Sequence, residues 1–260
     1  MKKHLDKCPF NKGQTWYNYE YLETKLIETS RHLTIDRKNY SAWSEALADI
    51  LVLTGNSIDT FFRKMYQCPY IADISEIASI EKPIYERGIE EYRKYESYYE
   101  LSKNKVFVPP RIGDSDTLSP FSSFRKDESP SWWTAYNKVK HEYYDNLRKA
   151  NLRNVLNGLG ALLILHALHL CSRRYLLLTG LTDDVGSLSL GRPSPHSIHE
   201  RYLPTDPHML RSPIGATIWV ASNPYISTKI FRYEYRKDKN ADPSDQLIVP
   251  LPDTMHIRFR

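Results

Sequence analysis

The run from Val155 to Cys171 constrains the fold more than any other stretch. It is nearly all apolar, interrupted only by Asn157, His166 and His169, and Tyr175 to Leu178 extend it. A membrane span needs about 20 mostly apolar residues. This run meets Arg173-Arg174 before it reaches that length. The expectation is therefore a buried central helix over about 152–178, stopped by Gly180, with other helices packed around it. A 41% apolar fraction in 260 residues supplies the partners for such a core.

Helical periodicity recurs on the N-terminal side. Trp16 to Leu33 carries Tyr19, Leu22, Leu26 and Leu33 at spacings of three and four. A stronger helix begins near Ser41, its expected N-cap. It runs through Trp43, Leu47, Ile50, Leu51, Ile58, Phe61, Phe62 and Met65 to Cys68-Pro69. Gly55 sits inside it, where glycine costs about 1 kcal/mol relative to Ala, so a kink or a close packing contact is expected. Ser75 to Ile80 reads as a short helix, and Lys82 to about Ser102 as a tyrosine-rich amphipathic one. Val106 to Pro130 carries four prolines and a glycine and reads as an irregular connector that delivers the chain to Ser131 as a cap. The next helix spans Trp132 to about Ala150.

Past Leu178 the composition changes. Residues 181–213 are rich in Gly, Pro, Ser and His and read as a connector. From Gly215 the period is two, with strands expected over 216–221, 229–236, 246–251 and 255–260. In the strand at 229–236, Phe231, Tyr233 and Tyr235 face one way and Arg232, Glu234 and Arg236 the other. The fold class is mainly α: a helical bundle over 1–180, the connector over 181–213, and a small C-terminal antiparallel β segment over 214–260. That sheet is too small to fold without the bundle.

Three cysteines, Cys8, Cys68 and Cys171, are too few and too scattered for a disulfide framework or a zinc knuckle. With an N-terminus lacking a signal-peptide core, the expectation is a cytoplasmic chain with no membrane contact. His166 and His169 read as core histidines rather than ligands. No metal or cofactor is expected. No glycine-rich phosphate loop or Gly-x-Ser-x-Gly elbow occurs, which argues against a nucleotide-driven motor or a common serine hydrolase.

The densest polar chemistry lies on the helix from Ser131. Trp132, Tyr136, Val139, Tyr143 and Leu147 share one face and belong to the core. Asn137, His141, Tyr144 and Arg148 share another, with Lys140 beside them. His exchanges protons near neutral pH, Lys and Arg hold phosphates, and Asn orients a neighbour. Asp59 and Arg63 sit one turn apart on the second long helix. Were it to pack beside this one, Arg63 would add a cation to the patch; a solvated Asp–Arg pair is the plainer alternative. The net charge of +5 permits an anionic partner. Tyr92-Arg93-Lys94-Tyr95 and the strand 231–236 are further basic aromatic stretches able in principle to stack bases.

The string Trp132-Trp133-x-x-Tyr136-Asn137-x-Val139-Lys140-His141, followed by a long apolar helix, resembles the signature region of HEPN-type helical domains. These bundles are common in prokaryotic toxin–antitoxin, antiviral defence and CRISPR-associated proteins. Their active members are metal-independent endoribonucleases that pair an Arg and a polar residue with a His four to six positions on, commonly in a dimer. The resemblance assigns the polar position to Asn137 and the His to His141. The Arg position falls at 134–136, occupied here by Thr134, Ala135 and Tyr136. It implies catalysis by His141, Asn137 and Lys140, RNA binding by Arg148, Arg63 and Tyr144, and a homodimer through the bundle. The alternative from the same residues is a non-catalytic helical module that recruits a partner effector.

Overall fold

The computed structural model describes residues 8, 10, 13–68, 71, 74–108, 116–169, 171, 172, 176, 182, 183 and 225–234. They form a mainly helical protein with a small antiparallel sheet. Three long helices make the frame: α1 (Gln14–Thr29), α2 (Glu45–Met65) and α8 (Leu152–Leu168). The shorter ones are α3 (Ser75–Ala78), α4 (Ile89–Tyr92), α5 (Glu96–Tyr99), α6 (Ser131–His141) and α7 (Tyr143–Asn146).

The apolar run does become the central helix. α8 packs against α2, α6 and α1, and every residue from Gly158 to Ala167 is buried. It begins at Asn151, whose side chain accepts a hydrogen bond from the Asn154 N–H at 3.0 Å. It ends earlier than expected, at Leu168, because His169 leaves the helical region with ψ at 118°. Cys171, Ser172 and Leu176 are helical again beyond that break. Among the described residues, no helix is long and apolar enough to cross a membrane.

The cap of α2 is Ser44 rather than Ser41: its hydroxyl accepts from the Leu47 N–H at 3.2 Å. Ser41 and Ala42 instead belong to the approach, where the Leu152 N–H reaches the Ala42 carbonyl at 2.9 Å and joins the starts of α2 and α8. Gly55 produces close packing inside an unbroken helix. A Cβ there would stand 2.3 Å from the Tyr136 ring, so the missing side chain is the space α6 occupies. Gly160 does the same for α8, where a Cβ would meet Val106 Cγ2 at 2.8 Å.

Three expected elements differ. The helix over 82–102 is a chain of short turns and helices, because Arg87 and Gly88 are both extended. Arg87 turns inward: its guanidinium donates to the carbonyls of Lys82 at 2.8 Å and Ile80 at 3.1 Å and lies over the Tyr66 ring. The helix from 131 breaks at Glu142, where Asn146 takes the Glu142 carbonyl with both its backbone and its side-chain N–H, each at 3.1 Å. Ser131 is its first helical residue, preceded by Pro130 in the capping position. The described parts of the connector at 106–130 carry regular structure: β1 (Val106–Val108) and β2 (Asp116–Leu118) pair antiparallel, and Ser122–Lys126 forms a 3-10 turn.

The sheet runs β2-β1-β5-β4-β3, with β3 at Thr182–Asp183, β4 at Tyr225–Ser227 and β5 at Arg232–Glu234. It thus draws strands from the expected connectors as well as from the expected C-terminal segment. The strand near 229–236 keeps its alternation, with Phe231 and Tyr233 buried and Arg232 exposed. The strands expected at 216–221, 246–251 and 255–260 lie outside the described residues. Glu23 on α1 fixes the β4–β5 hairpin. This 2% exposed carboxylate accepts from the backbone N–H of Lys229 at 3.2 Å and of Ile230 at 3.0 Å, from the Thr228 hydroxyl, and from Tyr19 at 3.2 Å. Burial, then the Glu23 charge, pushes the Tyr19 hydroxyl up, so it stays a donor.

Candidate functional site

α6 lies across α2 because its aromatic face has nowhere else to go. Trp132 is buried and its indole N–H donates to the Pro120 carbonyl at 2.8 Å. Tyr136 slides over Gly55, and its hydroxyl reaches Asn56 Oδ1 at 2.8 Å. Seating these rings leaves a cleft of about 440 Å³ along the outer side of α6. Asn137 and Lys140 line it from α6, Asp59 and Arg63 from α2, and Lys82, Arg87, Glu90 and Glu91 from the opposite wall.

Two relays cross its floor. In the first, Lys140 Nζ donates to the Tyr136 hydroxyl at 3.0 Å, and that hydroxyl donates to Asn56. Lys140 forms no ion pair with any described residue, and two of its three N–H groups remain for a ligand. In the second, Arg63 pairs with Asp59 at 2.8 Å, and Tyr92 donates to Asp59 at 2.5 Å. Arg63 Nε approaches the Tyr92 oxygen at 3.4 Å. Burial, then the hydrogen bond to Asp59, pushes the Tyr92 hydroxyl up. The guanidinium is thereby aimed rather than loose. The Asn137 amide has no hydrogen-bond partner among the described residues.

Of the residues the sequence groups together, the cleft unites Asn137, Lys140 and Arg63. His141 is exposed, one turn past Asn137 at the end of α6, and does not line the cleft. Tyr144 is 86% exposed, and Arg148 lies over the Trp43 ring at 5.9 Å; the break at Glu142 carries both away. Asp59 pairs with Arg63 and Tyr92, not with His141. Of the two readings open for the basic aromatic stretches, stacking or packing, the structure shows packing for Tyr92, Tyr95, Phe231 and Tyr233, which are all buried. The wall at 82–91 was missed, since the expected continuous helix placed those residues elsewhere.

The cysteines correct a second expectation. Far apart in sequence, they meet in space. Ligand atoms of Cys8, Cys68 and His169 all lie within 4.8 Å of one another, and the Cys171 side chain hydrogen-bonds both Cys8 and Cys68. Those bonds, from Cys171 first and then Cys68, hold the Cys8 thiol well below its ordinary range. Burial holds the His169 imidazole down at about 3, so the ring is neutral. His166 is equally buried, with Nδ1 2.6 Å from the Ser172 hydroxyl.

No protein-family model, curated protein or solved structure matches the chain.

Proposed function

We propose that the chain binds RNA, seating a backbone phosphate between Lys140, Asn137 and Arg63. The observation that supports this reading is the entry of Arg63 from α2 into the cleft that Asn137 and Lys140 line. Thr134, Ala135 and Tyr136 occupy the positions where the HEPN pattern has its Arg, and Arg63 brings a guanidinium to the same patch from another helix. Its planar fork suits two phosphate oxygens, and Lys140 adds a point charge. The mixed wall of Lys82, Glu90 and Glu91 keeps the surface from attracting every anion alike.

In the HEPN-like reading, the chain is a metal-independent endoribonuclease of prokaryotic defence or toxin systems. His141 takes the proton of a ribose 2′-hydroxyl as that oxygen attacks the adjacent phosphorus, and the 5′-oxygen leaves. Lys140 and Arg63 hold the charge that develops on the phosphate. A homodimer through the bundle would set two such helices side by side. One observation favours the second reading, a non-catalytic module that recruits a partner effector: no described residue hydrogen-bonds His141 to orient its imidazole.

Incubation with mixed tRNA in EDTA separates the two. Cleavage that persists with chelator and is lost in His141→Ala supports the enzyme. Retained RNA binding without cleavage, weakened by Lys140→Glu, supports a binding module. No RNA binding at low salt in the folded protein overturns both the cleft assignment and the nuclease.

A further inference from the structure

Three segments remote in sequence converge where the frame helices end. Cys68 lies just past the end of α2, His169 and Cys171 flank the break after α8, and Cys8 precedes α1. All four side chains are buried, none more than 4% exposed. Every cysteine of the chain is in this one group. Buried cysteines alone are ordinary small hydrophobes. An imidazole buried beside them is a different matter, because it adds a nitrogen ligand to a group of sulfur ligands. The group is enclosed by Phe10 and Phe61, whose rings lie 4.2 and 5.7 Å from the His169 ring.

We propose that Cys8, Cys68, Cys171 and His169 form a structural zinc site. Three thiolates and one neutral imidazole are a donor set that zinc takes as a closed tetrahedron, with no position left for water or substrate. The ligand atoms of Cys8, Cys68 and His169 stand within 4.8 Å of one another, and the Cys171 side chain is the immediate neighbour of Cys8 and Cys68. A small contraction brings them to the Zn–S and Zn–N lengths of about 2.3 and 2.0 Å. On binding, the protons that the thiols still carry are released to solvent, and the three sulfurs and one ring nitrogen each donate a pair to the cation. The break at His169 has a purpose in this reading: a continuous helix would turn Cys171 away from His169, since residues two apart do not face each other. The Ser172 N–H donates to His169 Nδ1 at 3.4 Å, a long contact that ligation of the ring would release, while the Ser172 hydroxyl stays on His166. The ion would tie the segment before α1 to the ends of α2 and α8. This site is separate from the cleft and does not depend on the RNA reading.

The test uses the untagged full chain, purified under reducing conditions without chelator. Elemental analysis is expected to find about one zinc per chain. Cobalt loaded in its place is expected to show a thiolate-to-cobalt charge-transfer band and the intense visible bands of a tetrahedral site. Cys171→Ser and His169→Ala should lose the ion, and His169→Cys, which keeps four ligands, should retain it. The cobalt spectrum of the unmodified chain decides the matter even where a variant fails to fold. A folded, reduced chain that neither carries zinc nor develops the cobalt bands overturns the proposal, as does zinc retained in folded Cys171→Ser. Recovery of Cys8 and Cys68 as a disulfide under the same reducing conditions also overturns it.

Discussion

The Glu23 knot and the cleft between α2 and α6 both gather polar groups from distant parts of the chain, yet they end in opposite states. At Glu23 one buried carboxylate receives four donors, and the residues that supply them bond inward. In the cleft, Lys140 gives one of its hydrogens to Tyr136, and the Asn137 amide gives none to a described residue. The difference lies in donor arithmetic rather than in charge. A cluster whose donors and acceptors cancel holds a fold together. A cluster with donors left over, open to solvent, has capacity for a ligand.

Substitutions can break that contrast. The largest effect is expected for Glu23→Ala, which strands the N–H groups of Lys229 and Ile230, while the Tyr19 and Thr228 hydroxyls keep each other as partners. A loss of about 3 kcal/mol should appear in denaturant unfolding, since each buried unsatisfied group costs about 1–3 kcal/mol, while RNA affinity per folded molecule stays unchanged. Gly55→Ala comes next, at about 1–3 kcal/mol, because its methyl must displace the Tyr136 ring. Here stability and RNA binding should fall together, since Tyr136 carries Lys140. Lys140→Ala should leave stability within about 0.5 kcal/mol. Its effect should appear in the salt dependence of RNA binding, whose slope should drop by about one.

The smallest effect concerns Asp116. Burial raises its carboxyl, but hydrogen bonds from Arg37 and Tyr40 outweigh that and hold it below the ordinary value. The folded value is thus the lower one. The stabilisation is present above the unfolded value of about 3.9 and disappears as pH falls through the folded one. The advantage of the native chain over Asp116→Asn should be under about 1 kcal/mol at neutral pH, as Arg37 is largely exposed. It should shrink below about pH 4 in paired unfolding curves.

What was legible in the sequence follows the range of the forces involved. The frame helices α1, α2 and α8 announce themselves by local periodicity, and so does the alternation of Phe231, Arg232 and Tyr233. The aromatic face of α6 was readable for the same reason, and it placed Asn137 and Lys140 together. The break at Glu142 was not readable, because the backbone leaves the helical region there (φ −138°, ψ 69°) inside a run whose helical periodicity continues unbroken. Arg87 escaped for a related reason: its guanidinium serves carbonyls that only the folded turn presents. The partnership of β1 with β5 has no local signal at all. The cysteines were hidden by their irregular spacing, although the short pair His169-x-Cys171 at the end of an apolar helix was the available hint.

The pairing of Phe107 with Arg232 also sets an order of events. On a ribosome the helical frame emerges well before residues 225–234 do. During that interval the nascent chain carries Glu23 without the hairpin donors and β1 with an unfilled edge. Synthesis of β4 and β5 completes these two sites together, so the newborn protein passes through a stage in which its frame is built and its seam is still open.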